Sequence, residues 1–521
     1  MNQEIKSEIK PEIRPEIRPE IKEERKIMQE QYPFFGIATV IYALFYTVCL
    51  YKNTSGIATS FFVGGTLCYF CLCMAKFSVP FKKDAVLYIV SILLLGVSLF
   101  LTDDYRLISM SKIGIIMLLV SFMIHHFYND KAWNFGKYLG SFVELLLDCI
   151  TSLGNLVSDF LHWKNRKKEE KKLDGKGKYI VLGLIIAIPL VFIIFLLLVS
   201  ADTIFANIFE TIFNNIFQKI VLPKNLLGIL ITFLFALFAT YSFIAAMAKK
   251  TIKEEVFNRR TQEPLVAITI TIILSILYLL FCSVQIAGLF FGKLLLPEGY
   301  SYANYAREGF FQLLFVCIIN LGVVLFCLAY FRESKLLKIL LTIISGCTYI
   351  MIISSAIRMI LYIQVYYLTF LRIFVLWSLI VIFIVMTGVL ISIYNEKFPL
   401  FRFAMFTVTA LYILLAFSHP DYFIASYNLS KIEAKIDAVE EKEVLSKYGD
   451  ISYLLNMSKD AAPAILDFYQ NESQKVEKND ESWYNVERYF DEAERDYKSM
   501  DLRTFNISRF IAGQCAKVAL K

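Results

Sequence analysis

Eleven long apolar stretches decide what this chain can become. A helix that crosses about 30 Å of hydrocarbon needs about 20 mostly apolar residues and must satisfy its backbone polar groups internally. Such stretches lie at approximately 34–51, 57–75, 85–101, 108–128, 179–199, 225–248, 265–291, 309–331, 336–363, 373–394 and 399–418. The first and last are short and Arg358 interrupts the ninth, so the count is bracketed between 10 and 12. The 521 residues are 57% apolar and 19% charged, with a mean hydropathy of +0.57, whereas soluble chains carry about 45–50% and about 25%. That excess excludes both an ordinary soluble enzyme and a disordered chain. The expected class is an all-α integral membrane protein: a polytopic helical bundle with a small helical extracytoplasmic C-terminal domain.

Loop charge sets the expected sidedness, because cationic loops are retained in the cytoplasm during insertion. With a cytoplasmic N-terminus, the inner loops hold 30 Lys and Arg against 8 in the outer ones. An odd number of crossings then places the C-terminal segment outside, in the cell membrane of a multi-pass protein. Five regions follow: a disordered arm at 1–33, a four-span membrane region at 34–128, a cytoplasmic amphipathic helix and Lys-rich loop at 129–178, a seven-span core at 179–418, and an extracytoplasmic helical domain at 419–521. The net charge of +7 reflects basic residues flanking spans rather than striping one surface, so nucleic acid is not an expected partner. Lipid is the expected partner throughout.

The arm repeats Glu-Ile-Lys/Arg-Pro, and Pro11, Pro15 and Pro19 forbid a continuous helix there. Within 133–163, Leu139, Val143, Leu146, Ile150 and Leu153 recur at helical spacing, opposite Glu144, Asp148 and Asp159. This predicts an amphipathic helix on the cytoplasmic membrane surface, followed by a cationic run from Lys164 that suits anionic lipid. A second stripe repeats Ile-Phe pairs every four residues from Ile204 to Phe217. Nine of the ten cysteines sit in apolar or amphipathic segments and read as small apolar filler. His125 and His126 end the fourth span and read as exposed. No cofactor or metal site is expected, and no catalytic signature is found, which leans against an enzyme.

Ionisable groups at membrane depth are costly and usually face a cavity or a partner. Asp202, Arg307, Glu308, Arg358 and Arg372 all fall near the outer ends of their spans in this topology. One reading is an outward-facing Arg/acid pocket for an anionic ligand, with Arg358, Arg372 and Arg307 holding a carboxylate or phosphate and Asp202 or Glu308 fixing their geometry. The other is a ring of ion pairs and snorkelling side chains that sets helix register.

Several of these residues lie in recognisable pieces: Ser200-Ala-Asp202, Tyr302-Ala-Asn-Tyr-Ala-Arg307-Glu-Gly-Phe-Phe-Gln312, Ser355-Ala-Ile-Arg358-Met, Tyr367-Leu-Thr-Phe-Leu-Arg372 and Tyr427-Asn428-Leu. Over roughly 180–521 the chain resembles the bacterial membrane family catalogued as domain of unknown function 4173, a relative of family 4153. The resemblance implies a multi-pass fold and no established activity, substrate or cofactor. Three functions stay open: a transporter-like protein, a membrane sensor or scaffold whose outer domain binds an envelope partner, and a membrane enzyme acting on a lipid phosphate.

Overall fold

The computed structural model describes residues 22–130, 133–166, 225–254, 260–287, 309–436, 451–472 and 481–521, with isolated positions between 191 and 208. The repeats before residue 22, the expected fifth span at 179–199, most of the Ile-Phe stripe, Arg307 and Glu308 lie outside the described residues.

Among the described residues, helices account for the architecture and the one β-bridge pairs Gln262 with Phe331. The chain opens with α1 (Glu23–Glu30), α2 (Tyr32–Leu50), α3 (Ile57–Lys76), α4 (Val86–Leu101) and α5 (Tyr105–Phe127). Two helices follow, α6 (Phe135–Thr151) and α7 (Asn155–Arg166), then α8 (Leu226–Lys249), α9 (Pro264–Gln285), α10 (Phe310–Tyr330), α11 (Lys335–Tyr366), α12 (Phe370–Tyr394) and α13 (Leu400–Phe417). The C-terminal part contains α14 (Pro420–Ile436), α15 (Ile451–Leu455), α16 (Ala462–Glu472), α17 (Glu481–Ser499) and α18 (Ile507–Ala519). Ten of these helices are long and apolar enough to cross a membrane. Local chemistry fixes their ends: Pro33 and Pro264 enter first turns, where a missing N–H costs nothing. Asp104 and Asn506 cap α5 and α18 through side-chain oxygens.

The spans form two lobes. Helices α2–α5, α8 and α13 share one buried core, and α9–α12 share another. Trp377 of α12 ties the lobes together by donating to the Leu411 carbonyl of α13 at 2.9 Å. Leucines and isoleucines on the outer faces of the spans stay exposed, as lipid-facing surfaces do. Helices α14–α18 with α15 between them build a third, smaller core around Phe468, Trp483 and Phe490.

Successive crossings bring loops 51–56, 102–104 and 367–369 to one end of the bundle, where the C-terminal domain sits; we term this the tail face. Helix α1, residues 77–85, 128–130, 250–254 and 395–399 gather at the opposite end, the arm face. The tail domain is pinned in place by backbone as well as side chains. Phe505 accepts from the Ile57 N–H at 2.8 Å, and Asn506 donates to the Thr102 carbonyl at 2.9 Å. Gly56 permits this approach, since a Cβ there would lie 2.9 Å from the Thr504 backbone.

Three expectations change. The arm is helical from Glu23, where the prolines have ended and Arg25 is buried. The amphipathic stretch is two helices bent by 54°, broken at residues 152–154. Trp133 just before α6 donates to the Glu254 carbonyl, and Thr251 donates to Asp148 near the end of α6. Both ends are therefore held against the same arm-face loop, and a 54° bend is far from a reversal. Helix α6 thus lies along the face, its Leu139, Leu146 and Ile150 side chains exposed. Finally, His125 and His126 are buried rather than exposed, for reasons given below.

Candidate functional site

Helix α11 has 32 residues and a length of about 48 Å, longer than the hydrocarbon it would cross. Arg358 does not interrupt it. The arginine stands eight residues before its end, about 12 Å in at helical rise, and is only 6% exposed. Its Nη2 donates to Gln285 Oε1 of α9 at 3.0 Å, and Ser354 donates to the same oxygen at 2.8 Å. Ser355 donates to the Phe310 carbonyl at 3.2 Å. The guanidinium lies close to Gly309 at the start of α10, where an added Cβ would come within 2.2 Å of Nη1. A larger residue there would require the arginine tip to shift. Three helices thus converge on one buried cation.

The buried face of α11 continues this polarity. Ser345, Thr348, Ser355 and Arg358 recur at helical spacing, and each is buried. Asn320 of α10 donates to Thr348 Oγ1 at 2.9 Å. Among the described residues, Asn320 Oδ1 and Ser275 Oγ of α9 are buried without a hydrogen-bond partner. Buried polar atoms without partners are unusual in a folded interior, and here two of them lie on helices that flank α11.

The other expected site residues separate. Arg372 donates to the Tyr366 and Tyr367 carbonyls at the end of α11 and stacks over Tyr362 at 4.3 Å. It closes a helix terminus, as a cation there should. Tyr362 in turn stacks on Phe310 at 5.8 Å. Asp202 is exposed and accepts from the Ile204 and Phe205 N–H groups at 2.8 and 3.4 Å, a local turn contact. Arg307 and Glu308 directly precede Gly309 in sequence and lie outside the described residues.

Two charged networks were not foreseen. At the tail face, Arg106 pairs with Asp104 at 2.8 Å and with the fully buried Asp421 at 2.6 Å, while Arg509 pairs with Asp103 at 2.7 Å. Burial, then the neighbouring Asp104, pushes the Asp421 carboxyl up; burial also raises Asp103. Asp460 accepts from Thr102 across the domain boundary and faces His419 at 3.6 Å. Burial pushes Asp460 up, but hydrogen bonds from His419, Ser508 and Thr102 outweigh it and hold the carboxyl low. The same bond to Asp460 raises His419.

At the arm face, His125 Nδ1 lies 2.9 Å from Asp130 and Nε2 lies 3.0 Å from Asp84. Arg402 of α13 reaches Asp130 at 2.6 Å, and Tyr138 of α6 donates to the same carboxylate. Burial alone would raise Asp130, yet the hydrogen bonds from His125 and Tyr138 keep it below its ordinary range. Burial of His125 follows from this: its polar atoms are fully used inside the junction of α4, α5, α6 and α13. No sequence signal marks these partners, since Asp84 and Arg402 are 318 residues apart. The hydroxyl spacing on α11 was a legible signal for the second-lobe site.

Lobes of apolar spans with polar residues inside them define an all-α, multi-pass membrane protein. Its family is shown by a model that matches residues 89–468, well over half of the chain: the protein belongs to the family described as Domain of unknown function (DUF4153). The match starts ahead of the 180–521 region and is to family 4153, so the kinship with family 4173 is not carried by it. Neither the curated proteins nor the solved structures provide a match.

Proposed function

We propose that this is a transporter-like membrane protein whose second lobe engages a small anionic solute at Arg358. The observation that carries the reading is the burial of that guanidinium inside a membrane span, oriented by Gln285 and seated on Gly309. An ionisable group so placed is costly unless it serves a pathway or a partner. The polar face of α11, with Asn320 and Ser275 beside it, supports a route continuing through the lobe. In this reading Arg358 holds the anion, Ser354 and Gln285 set its position, and Arg372 secures the helix end instead of touching the ligand. Arg307 and Glu308 remain part of the proposal by their place next to Gly309; Asp202 does not. The Lys and Arg bias supports an arm face in the cytoplasm and a tail domain outside the cell membrane.

Purified protein in liposomes, offered inorganic phosphate or a dicarboxylate, tests this. Wild type should show saturable uptake of at least one of them. Arg358→Gln should lose it by tenfold or more, about 1.4 kcal/mol or more, while its unfolding midpoint stays near that of wild type. Uptake equal in both proteins, or equal to empty liposomes, removes the reading.

A second reading, a sensor or scaffold, is favoured by the separate core of the tail domain and by exposed Tyr484 and Leu502 on it. Its test is cross-linking of an envelope partner through Leu502, abolished by Leu502→Asp without change in any flux.

A further inference from the structure

Beneath α7, on the arm face, a groove of about 440 Å³ runs between α2, α7 and α8. Tyr32 and Val40 of α2, Leu156, Val157 and Phe160 of α7, and Leu237 of α8 line it. Nothing charged does. Ile37 and Ile41, on the same face of α2, are largely exposed where lipid would lie. The groove therefore opens sideways toward hydrocarbon.

Its roof is fixed. Asp159 of α7 is fully buried and takes both Arg25 nitrogens, at 2.6 and 2.7 Å, and the Tyr241 hydroxyl at 2.8 Å. That clamp joins α1, α7 and α8, so α7 is held across the groove instead of resting on it. Tyr32, Phe160 and Trp163 pack at the mouth with ring centroids 5.6 to 6.4 Å apart. Aromatic side chains of this kind settle at the level of lipid headgroups. Lys164 lies over Phe160 at 6.0 Å and is exposed. An apolar slot, an aromatic mouth and a cation above it match one kind of molecule.

We infer that the groove binds one acyl chain of an anionic phospholipid, with Lys164 meeting its phosphate. The occupant is a lipid rather than a peptide because the Tyr32 hydroxyl is the one polar side-chain group in the lining, too few to satisfy a peptide backbone, while a hydrocarbon chain needs none. It is anionic because cations near such a surface attract negative headgroups. The sequence continues with more cations than acids as far as residue 178, which favours the same sign of charge.

The test uses the full chain, solubilised from mixed phosphatidylcholine and phosphatidylglycerol vesicles and exchanged into detergent, with retained lipid weighed by mass spectrometry. Wild type should retain lipid enriched in phosphatidylglycerol by roughly fivefold, the ratio that about 1 kcal/mol at one cation gives. Val40→Trp fills the slot and should lose retention, whereas Ile273→Trp, on the lipid-facing side of α9, should keep it. Lys164→Glu should retain lipid without the enrichment. Wild type stripped of all lipid overturns the inference, as does Val40→Trp retaining as much as wild type. Enrichment surviving in Lys164→Glu overturns the assignment of the headgroup. The wild-type arm needs no variant to fold, and none of its outcomes depends on Arg358.

Discussion

In the first lobe Arg25 meets Asp159, and Arg106 meets Asp104 and Asp421. In the second, Arg358 donates to the amide oxygen of Gln285, and Arg372 donates to backbone carbonyls. The two kinds of contact do different work. A buried carboxylate cancels the charge it fixes, and removing it leaves an uncompensated ion. A neutral acceptor such as the Gln285 amide oxygen fixes the direction of a guanidinium. Arg25 and Arg106 therefore join segments through buried charge, whereas the Gln285 contact orients Arg358 across two helices of the second lobe.

Asp159→Ala should be the most damaging single change, lowering stability by about 3–5 kcal/mol through the stranded Arg25. Denaturant unfolding in detergent measures it, and a cost under about 1 kcal/mol would erase the contrast between lobes. Next, Asp421→Ala should cost about 1–3 kcal/mol, because Arg106 keeps Asp104 and the lost carboxylate also accepts the Ser458 N–H. Its readout is faster proteolysis of the tail domain with the spans intact. Arg358→Met should cost less than Asp159→Ala, since the Gln285 oxygen it leaves behind keeps its hydrogen bond from Ser354. A loss rivalling Asp159→Ala would mean that Arg358 is a structural ion after all.

The smallest effect concerns pH. His419 is raised by Asp460, so its contribution is full below its ordinary 6.5 and fades as pH climbs through the raised value. Asp460 is lowered, so its share is present above its ordinary 3.8 and fades as pH falls through the lowered value. Tail docking should be firmest between those limits and loosen on the alkaline side by less than about 1 kcal/mol, His419 being partly exposed. His419→Gln should flatten the alkaline limb of a proteolysis-against-pH curve. An unchanged limb would assign it to another group.

The spans were legible because lipid imposes one rule on every residue within them, so 57–75 and 373–394 read within a few residues of Ile57–Lys76 and Phe370–Tyr394. The odd number of crossings expected from the sequence counts a fifth span, at 179–199, that lies outside the described residues. Arg358 was legible as a charge out of place, but not its depth, because the apolar pattern fades before the helix ends at Tyr366. Gln285 and Gly309 carried no mark of their own. The networks of Asp103, Arg106 and His125 were hidden for a further reason: their partners sit on elements that only tertiary packing brings near. Asp460 likewise accepts from Thr102, 358 residues away.

The seam formed by Ile57, Thr102, Phe505 and Asn506 has a bearing on biogenesis. Asn506 is synthesised 404 residues after Thr102, the residue whose carbonyl it covers. Early hairpins must therefore wait, with backbone groups unmet at their tips, until a late segment has been made and delivered to the same side. A chain that stopped short of residue 500 would have its apolar spans yet lack the segment that latches these loop tips.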